Sequence, residues 1–110
     1  MGLKVAVAAK GIKGLEDEVS DVFGRARAFA IVETEGDRIK NVKVVDNPAA
    51  SYEYGAGPIT TKMLADMGVK VVIASDFGVG ASVLLKDKNI RAVKVKAGTN
   101  VCRAVDSVIK

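Results

Sequence analysis

Several residues in this 110-residue chain are of types that bind or react. Cys102 is the one cysteine and the one strong soft ligand, suited to an iron–sulfur or copper–sulfur species. Gly55 and Gly57 stand just ahead of Pro58, and Gly78 and Gly80 stand just ahead of a helical stretch. Such turns leave main-chain N–H groups open to an anion, or serve only as tight strand–helix junctions. Neither is followed by the Gly-Lys-Ser/Thr of a phosphate-binding loop. Phe23-Gly24-Arg25 offers a guanidinium that pairs with an anion, or a Phe anchor beside a solvated arginine. Lys10, Ser75 and Thr99 are the remaining polar candidates. Tyr52 and Tyr54 are either a lid or loop packing.

Cys102 also has two readings. With Thr99 as the N-cap of the last helix, Cys102 lies in the first turn, where the helix field favours a thiolate. It also lies at the edge of the apolar arc Val101, Val105, Val108 and Ile109, where a cysteine packs as a small hydrophobe.

Much chemistry is excluded. There is no histidine, which removes the commonest general base and the usual Ser-His-Asp and Cys-His arrangements. One cysteine cannot form an internal disulfide or a CxxC zinc site. No nucleophile, base and orienting group can be assembled, so an enzyme is not expected. Seventeen Lys and Arg against 13 Asp and Glu give a net charge of +4, which mildly favours an anionic partner. Aromatics are 5% of the chain with no tryptophan, so stacking platforms are scarce and nucleic-acid binding is not expected. No apolar run approaches the ~20 residues that span a bilayer. The apolar opening Met1–Ala9 has no charged lead and cleavage site, so a cytoplasmic protein is expected.

The elements that must position these residues follow from periodicity. Leu3–Ala9 reads as a buried central strand. Lys10–Arg27 is a long glycine-rich connection with a helical turn near Glu16–Asp21. Ala28–Thr34 and Arg38–Val45 form a hairpin across Glu35-Gly36-Asp37, the second strand near a sheet edge. Pro58 is placed at the first position of a helix that carries Ile59, Met63, Leu64 and Met67 on one face and ends at Gly68. Val69–Ala74 is a strand, Ala81 to about Lys88 a helix, Arg91–Val95 a strand, and Gly98-Thr99 opens a last helix through Ile109.

Antiparallel strands followed by strand–helix alternation imply a single α/β domain over residues 1–110. Its expected form is a three-layer α/β/α, ribonuclease-H-like arrangement with a five-stranded mixed sheet of order 3-2-1-4-5. The crevice at the carboxyl ends of the first and fourth strands is the expected ligand site, lined by Lys10–Gly14 and Ser75–Gly80. Two-metal nuclease chemistry does not fit. The first strand reads Val5-Ala6-Val7-Ala8-Ala9 without an acid, and Asp76 alone follows the fourth.

Ser20-Asp21-Val22-Phe23-Gly24-Arg25-Ala26, Asp46-Asn47-Pro48, Gly55-Ala56-Gly57 and Leu64 through Ala74 occur in an order that resembles the dinitrogenase iron–molybdenum cofactor-binding domain family. That NifX/NafY-like family includes the C-terminal domain of NifB-type proteins and the orange protein. The resemblance spans Lys4 to about Val108. It implies the ribonuclease-H-like fold and a carrier or chaperone for an iron–sulfur or molybdenum-containing sulfide cluster. Many members have a histidine where Val22 stands, so a cluster contact made by that histidine in the family is not made in the same way here. Implied partners are the metal–sulfur cluster or another small anion, and a second copy of the chain or a cluster-delivery protein. The alternative is a regulatory or protein-interaction domain that forms homo-oligomers and has lost cluster binding.

Overall fold

The computed structural model describes residues 2–110, except for the side chain of Val79. Met1, which heads the apolar opening run, lies outside the described residues. The sheet is built from β1 (Gly2–Ala9), β2 (Ala28–Glu35), β3 (Arg38–Asp46), β4 (Val71–Ala74) and β5 (Arg91–Lys94). Its order is β3-β2-β1-β4-β5. β1 pairs antiparallel with β2 and parallel with β4, while β3 and β5 form the edges. The helices are α1 (Ala56–Asp66), α2 (Val79–Asp87) and α3 (Val101–Ile109). The expected α/β architecture and strand order are therefore observed.

Strand alternation divides the core into two faces. Ala6, Ala8, Phe29, Ile31, Val72 and Ala74 meet Leu64 of α1 and Ala81 and Leu85 of α2. Val5, Val7, Ala30, Val32, Val71 and Ile73 meet Val101, Ala104 and Val105 of α3. β1 is buried on both faces, which is why it reads as a continuous apolar run. Its alanines on the α1/α2 side leave room for Phe23 and Phe77, which enter that core from loops.

Several boundaries differ from expectation, each for a local reason. α1 starts at Ala56, two residues before Pro58. Gly55 takes the N-cap with φ 76°, a left-handed turn that glycine makes without strain. Pro58 falls third in the helix, where an N–H has no intrahelical acceptor anyway. α2 likewise starts at Val79, because Gly78 (φ 74°) turns the chain into the helix before Ala81. Thr99 is not the cap of α3. Asn100 is, with its Oδ1 accepting from the Arg103 N–H at 3.1 Å. Thr99 is held instead by its carbonyl, which accepts from the Val19 N–H at 2.8 Å. The turn in the long connection is a 3-10 turn at Gly14–Glu16, not at Glu16–Asp21. Val19 is drawn out of any helix by a bridge to Ala9. At the other end of α1, Gly68 (φ 81°) closes the helix as expected, with the Val69 N–H donating to the Leu64 carbonyl at 3.1 Å.

Leu64 is fully buried between α1 and the alanine side of β1. Leu64→Ala is expected to lower the unfolding free energy by about 2–5 kcal/mol in a urea titration, since the site cannot collapse onto small neighbours.

Candidate functional site

The site begins where the chain leaves β1. The Ser20 N–H donates to the Ala8 carbonyl at 2.8 Å, and the Ser75 N–H donates to the Ser20 carbonyl at 3.3 Å. Ser20 therefore stitches the carboxyl ends of β1 and β4 together and launches the next residues across them. Phe23 anchors this crossing. It is 1% exposed, edge-on to Phe29 at 5.7 Å between ring centroids, and 5.3 Å from Phe77.

Gly24 then lies directly on the start of α1. A Cβ there would sit 3.0 Å from the Gly57 nitrogen and 3.1 Å from its Cα, so glycine is required by the close approach of two backbones. A buried polar clamp holds this approach. The Asn47 side-chain amide donates to the carbonyls of Gly24 and Ala26, both at 2.9 Å. Its Oδ1 accepts from the Ala49 N–H at 3.1 Å. The Thr60 hydroxyl donates to the Gly24 carbonyl at 2.8 Å from within α1. Asn47 and Thr60 are both buried, so these bonds face no competition from water.

A cleft of about 360 Å³ opens beside this contact. Val22 through Arg25 form one wall, Ala56 through Pro58 a second, and Asp76 through Gly78 with Gly80, Ala81 and Leu84 the third. Most of the wall is apolar. The polar exceptions are the beginnings of two helices, Arg25 and Asp76. The first bonds inside these helices run from the Ile59 N–H to the Gly55 carbonyl and from the Ser82 N–H to the Gly78 carbonyl. The amides of Ala56, Gly57, Gly80 and Ala81 thus have no partner within their own helix. Gly78 is the exception among the turn amides, since its N–H donates to Asp76 Oδ1 at 3.3 Å.

Charge favours an anion here. Each helix start carries roughly half a positive charge, and Arg25 adds a full one against the single carboxylate of Asp76. Arg25 is exposed and takes part in no ion pair among the described residues. No group of three or more His, Cys, Asp or Glu is placed to hold a metal among the described residues. The donor set therefore suits a species that brings its own ligands and carries negative charge. It does not suit a bare cation.

The expected candidates divide. Phe23, Gly24, Arg25, Gly57, Gly78 and Gly80 come together in the cleft. Gly55 caps α1 behind the wall, and half-buried Ser75 is spent on the junction with Ser20. Lys10–Gly14 do not line the cleft, contrary to expectation. The Lys10 N–H donates to the Glu18 carbonyl, which doubles the chain back and carries Leu15 into the α3-side core. Lys10 instead pairs with Glu18 at 3.4 Å over a separate hollow of about 300 Å³. Thr99 and Cys102 belong to the α3 layer on the far side of the sheet, where Cys102 is half-buried. Tyr52 and Tyr54 are exposed and do not line the cleft. Asp76 falls within the expected lining Ser75–Gly80, whereas Asn47, Thr60 and Leu84 were not singled out from the sequence. For Asn47 the signal was there: an Asn between a strand end and Pro48, where an Asx turn forms.

With this geometry in place, likeness to known proteins becomes informative. The description "Dinitrogenase iron-molybdenum cofactor" matches residues 1–110. The chain belongs to that family. Among its relatives, an uncharacterized protein of Methanocaldococcus jannaschii is 31% identical over 94 residues, covering 86% of this chain and 75% of the relative. The apo form of the orange protein from Desulfovibrio gigas superposes with a TM-score of 0.86 at 30% identity, covering 96% of this chain and 85% of that one. A NifB-like protein from Thermotoga superposes with a TM-score of 0.78 at 37% identity, covering 96% and 86%. The family's fold is thus the one observed here. Among the described residues no helix is long and apolar enough to cross a membrane.

Asn47→Ala removes both donated bonds and strands the buried Ala26 carbonyl and Ala49 amide. It is expected to destabilise the chain by about 2–4 kcal/mol in denaturant titration. Gly24→Ala should do similar damage by a different route, forcing the Phe23–Arg25 segment away from α1. Amide exchange resolved by NMR should then show faster opening at 22–27 and 56–60 than in the rest of the sheet.

Proposed function

We propose that this chain is a non-catalytic carrier or chaperone for a small anionic metal–sulfur cluster, bound in the cleft between the Phe23–Arg25 crossing and the starts of α1 and α2. One observation carries the reading: two helix N-termini and an uncommitted arginine converge on one apolar-walled cleft. Membership in the dinitrogenase iron-molybdenum cofactor family supports it, as does likeness to a protein whose apo form has the same fold.

In this reading the cluster is cargo that arrives with its own sulfide ligands. The free amides of Ala56, Gly57, Gly80 and Ala81 and the Arg25 guanidinium meet its negative charge. Val22, Pro58, Phe77 and Leu84 surround its less polar surface. No protein thiolate is needed, which fits the position of Cys102 in the α3 layer, and no imidazole is needed, which fits Val22 in the cleft wall. Catalysis finds no support in the side chains. Among the described residues Asp76 is the only carboxylate lining the cleft, and it accepts from the Gly78 amide.

Anaerobic reconstitution with iron, or with molybdate, plus sulfide should yield a coloured complex of fixed stoichiometry. Arg25→Gln should weaken it about tenfold, in line with loss of one charge-assisted contact. Cys102→Ser should leave it unchanged. Protein that emerges colourless and metal-free under all these conditions would sink the carrier reading. Loss of the complex in Cys102→Ser alone would move the site to α3.

A further inference from the structure

The net charge of this chain is confined to one edge of its sheet. Residues 86–96 contain five Lys and Arg and only Asp87, a net of +4, which equals that of the whole chain. The other 99 residues balance to zero. This stretch runs from the last turn of α2 through β5, the edge strand whose only partner is β4.

The fold sets these cations along both faces of the edge. Val93 and Val95 pack on the α3 side, so alternation sends Lys94 and Lys96 to the α2 side and Arg91 to the α3 side. Lys86 lies about 200° around α2 from Leu84, which lines the cleft, so it sits on the flank away from that cleft. The Arg91 N–H donates to the Lys70 carbonyl at 2.9 Å, which sets Lys70 beside the start of β5. Lys70, Lys86, Lys88, Arg91, Lys94 and Lys96 are all exposed, and none takes part in an ion pair among the described residues. Among the other cations, Lys10, Arg27, Lys40, Lys62 and Lys110 each meet a carboxylate, whereas Lys4, Lys13, Arg25, Arg38, Lys43 and Arg103 take part in no ion pair among the described residues. A half-dozen uncompensated cations along one edge repel one another and raise the local potential.

We propose that the β5 edge is a docking surface for an acidic partner protein. The inference extends the carrier reading, since a carrier needs a receiver and this edge adjoins the carboxyl end of β4, where the cleft opens. A protein suits the surface better than a nucleic acid. The phenylalanines are buried and both tyrosines precede α1, so no base-stacking platform lies on this edge. Exposed Ala92 and half-buried Val93 interleave the cations and suit the mixed polar and apolar character of a protein contact. A second copy of the chain offers a poorer complement. In Glu16–Glu18, Asp17 is buried and Glu18 is engaged by Lys10, and at the β2–β3 turn Glu35 is engaged by Lys40.

The test is a titration of the isotope-labelled chain, followed by NMR, with a short Glu-rich helical peptide carrying leucines on one face. A DNA duplex and the chain alone at rising concentration form the other arms. Amide shifts should concentrate at Lys70 and 86–96, and affinity should fall about tenfold from low to physiological salt. Lys88→Glu/Lys94→Glu/Lys96→Glu should weaken peptide binding at least about tenfold with the rest of the spectrum unchanged, and Lys94→Gln/Lys96→Gln should give an intermediate loss. Arg25→Gln should bind the peptide normally, so failure of cluster binding at the cleft and failure of docking at the edge are separate results. Shifts spread evenly over Lys13, Lys43 and Lys62, tighter binding of the duplex than of the peptide, or self-association through β5 would each overturn the proposal.

Discussion

The close approach of two backbones, Gly24 on the start of α1, is the constraint from which the cleft follows. It needs a residue without a Cβ at 24, and it needs the carbonyls of a crossing segment to be satisfied without water. Asn47 meets the second need by bonding two carbonyls and one amide from three different residues. No single main-chain group can do that, because a peptide unit offers one donor and one acceptor facing opposite ways. The clamp therefore fixes the crossing segment against the start of α1. Phe23 supplies the apolar half of the same anchor, seated in space left by the alanines of β1. A larger residue at Ala6 or Ala8 would compete for that space and lift the crossing.

Most of the architecture was legible because it rests on periodicity. The apolar run of β1, the hairpin of β2 and β3, the later strand–helix alternation and the right-handed crossover rule lead directly to the strand order. What was less legible rests on choices among neighbouring residues of similar promise. Proline is a good first helical residue, but Gly55 can turn the chain two residues sooner, and nothing in local propensity weighs one against the other. Thr99 and Asn100 are both good caps. The bridge between Val19 and Thr99, made across a long sequence gap, decides for Asn100. The cleft was half-legible for the same reason. The glycine turns and Phe23-Gly24-Arg25 came together as their strand ends required. Lys10–Gly14 left because the chain reverses at Glu18, a non-local event that no window of sequence contains.

Charge separates two tasks in a small molecule. The cleft holds a modest positive field made mostly of main-chain dipoles, with one arginine and one aspartate at the rim. The β5 edge holds side-chain charge without compensation. A dipole field is short-ranged and acts on what is already in the cleft, whereas full charges on an exposed edge act out to roughly a Debye length, about 8–10 Å at physiological salt. The first suits retention of a compact anion and the second suits orientation of a large partner. Arg91 and Lys94 on β5 also protect an open strand edge from pairing with other chains, so the same residues limit aggregation while they present charge.

In the proposed carrier, Val22 stands where the family resemblance implies a histidine, and this bears on how firmly cargo would be held. A coordinate bond from imidazole to a metal fixes one atom of a cluster and must be broken for release. Amide donors and a guanidinium instead share an anion among several bonds, each contributing about 1.5–3 kcal/mol and each replaceable by water as the cluster leaves. Val22 is 41% exposed at the mouth of the cleft, where it narrows the opening without binding. A carrier that must hand its load to another protein gains from this arrangement, because release then proceeds by stepwise exchange of hydrogen bonds and needs no ligand substitution at the metal. Affinity in the proposed carrier then depends also on the clamp that holds the cleft walls in place, so Asn47 and Thr60 would contribute to binding although they do not line the cleft.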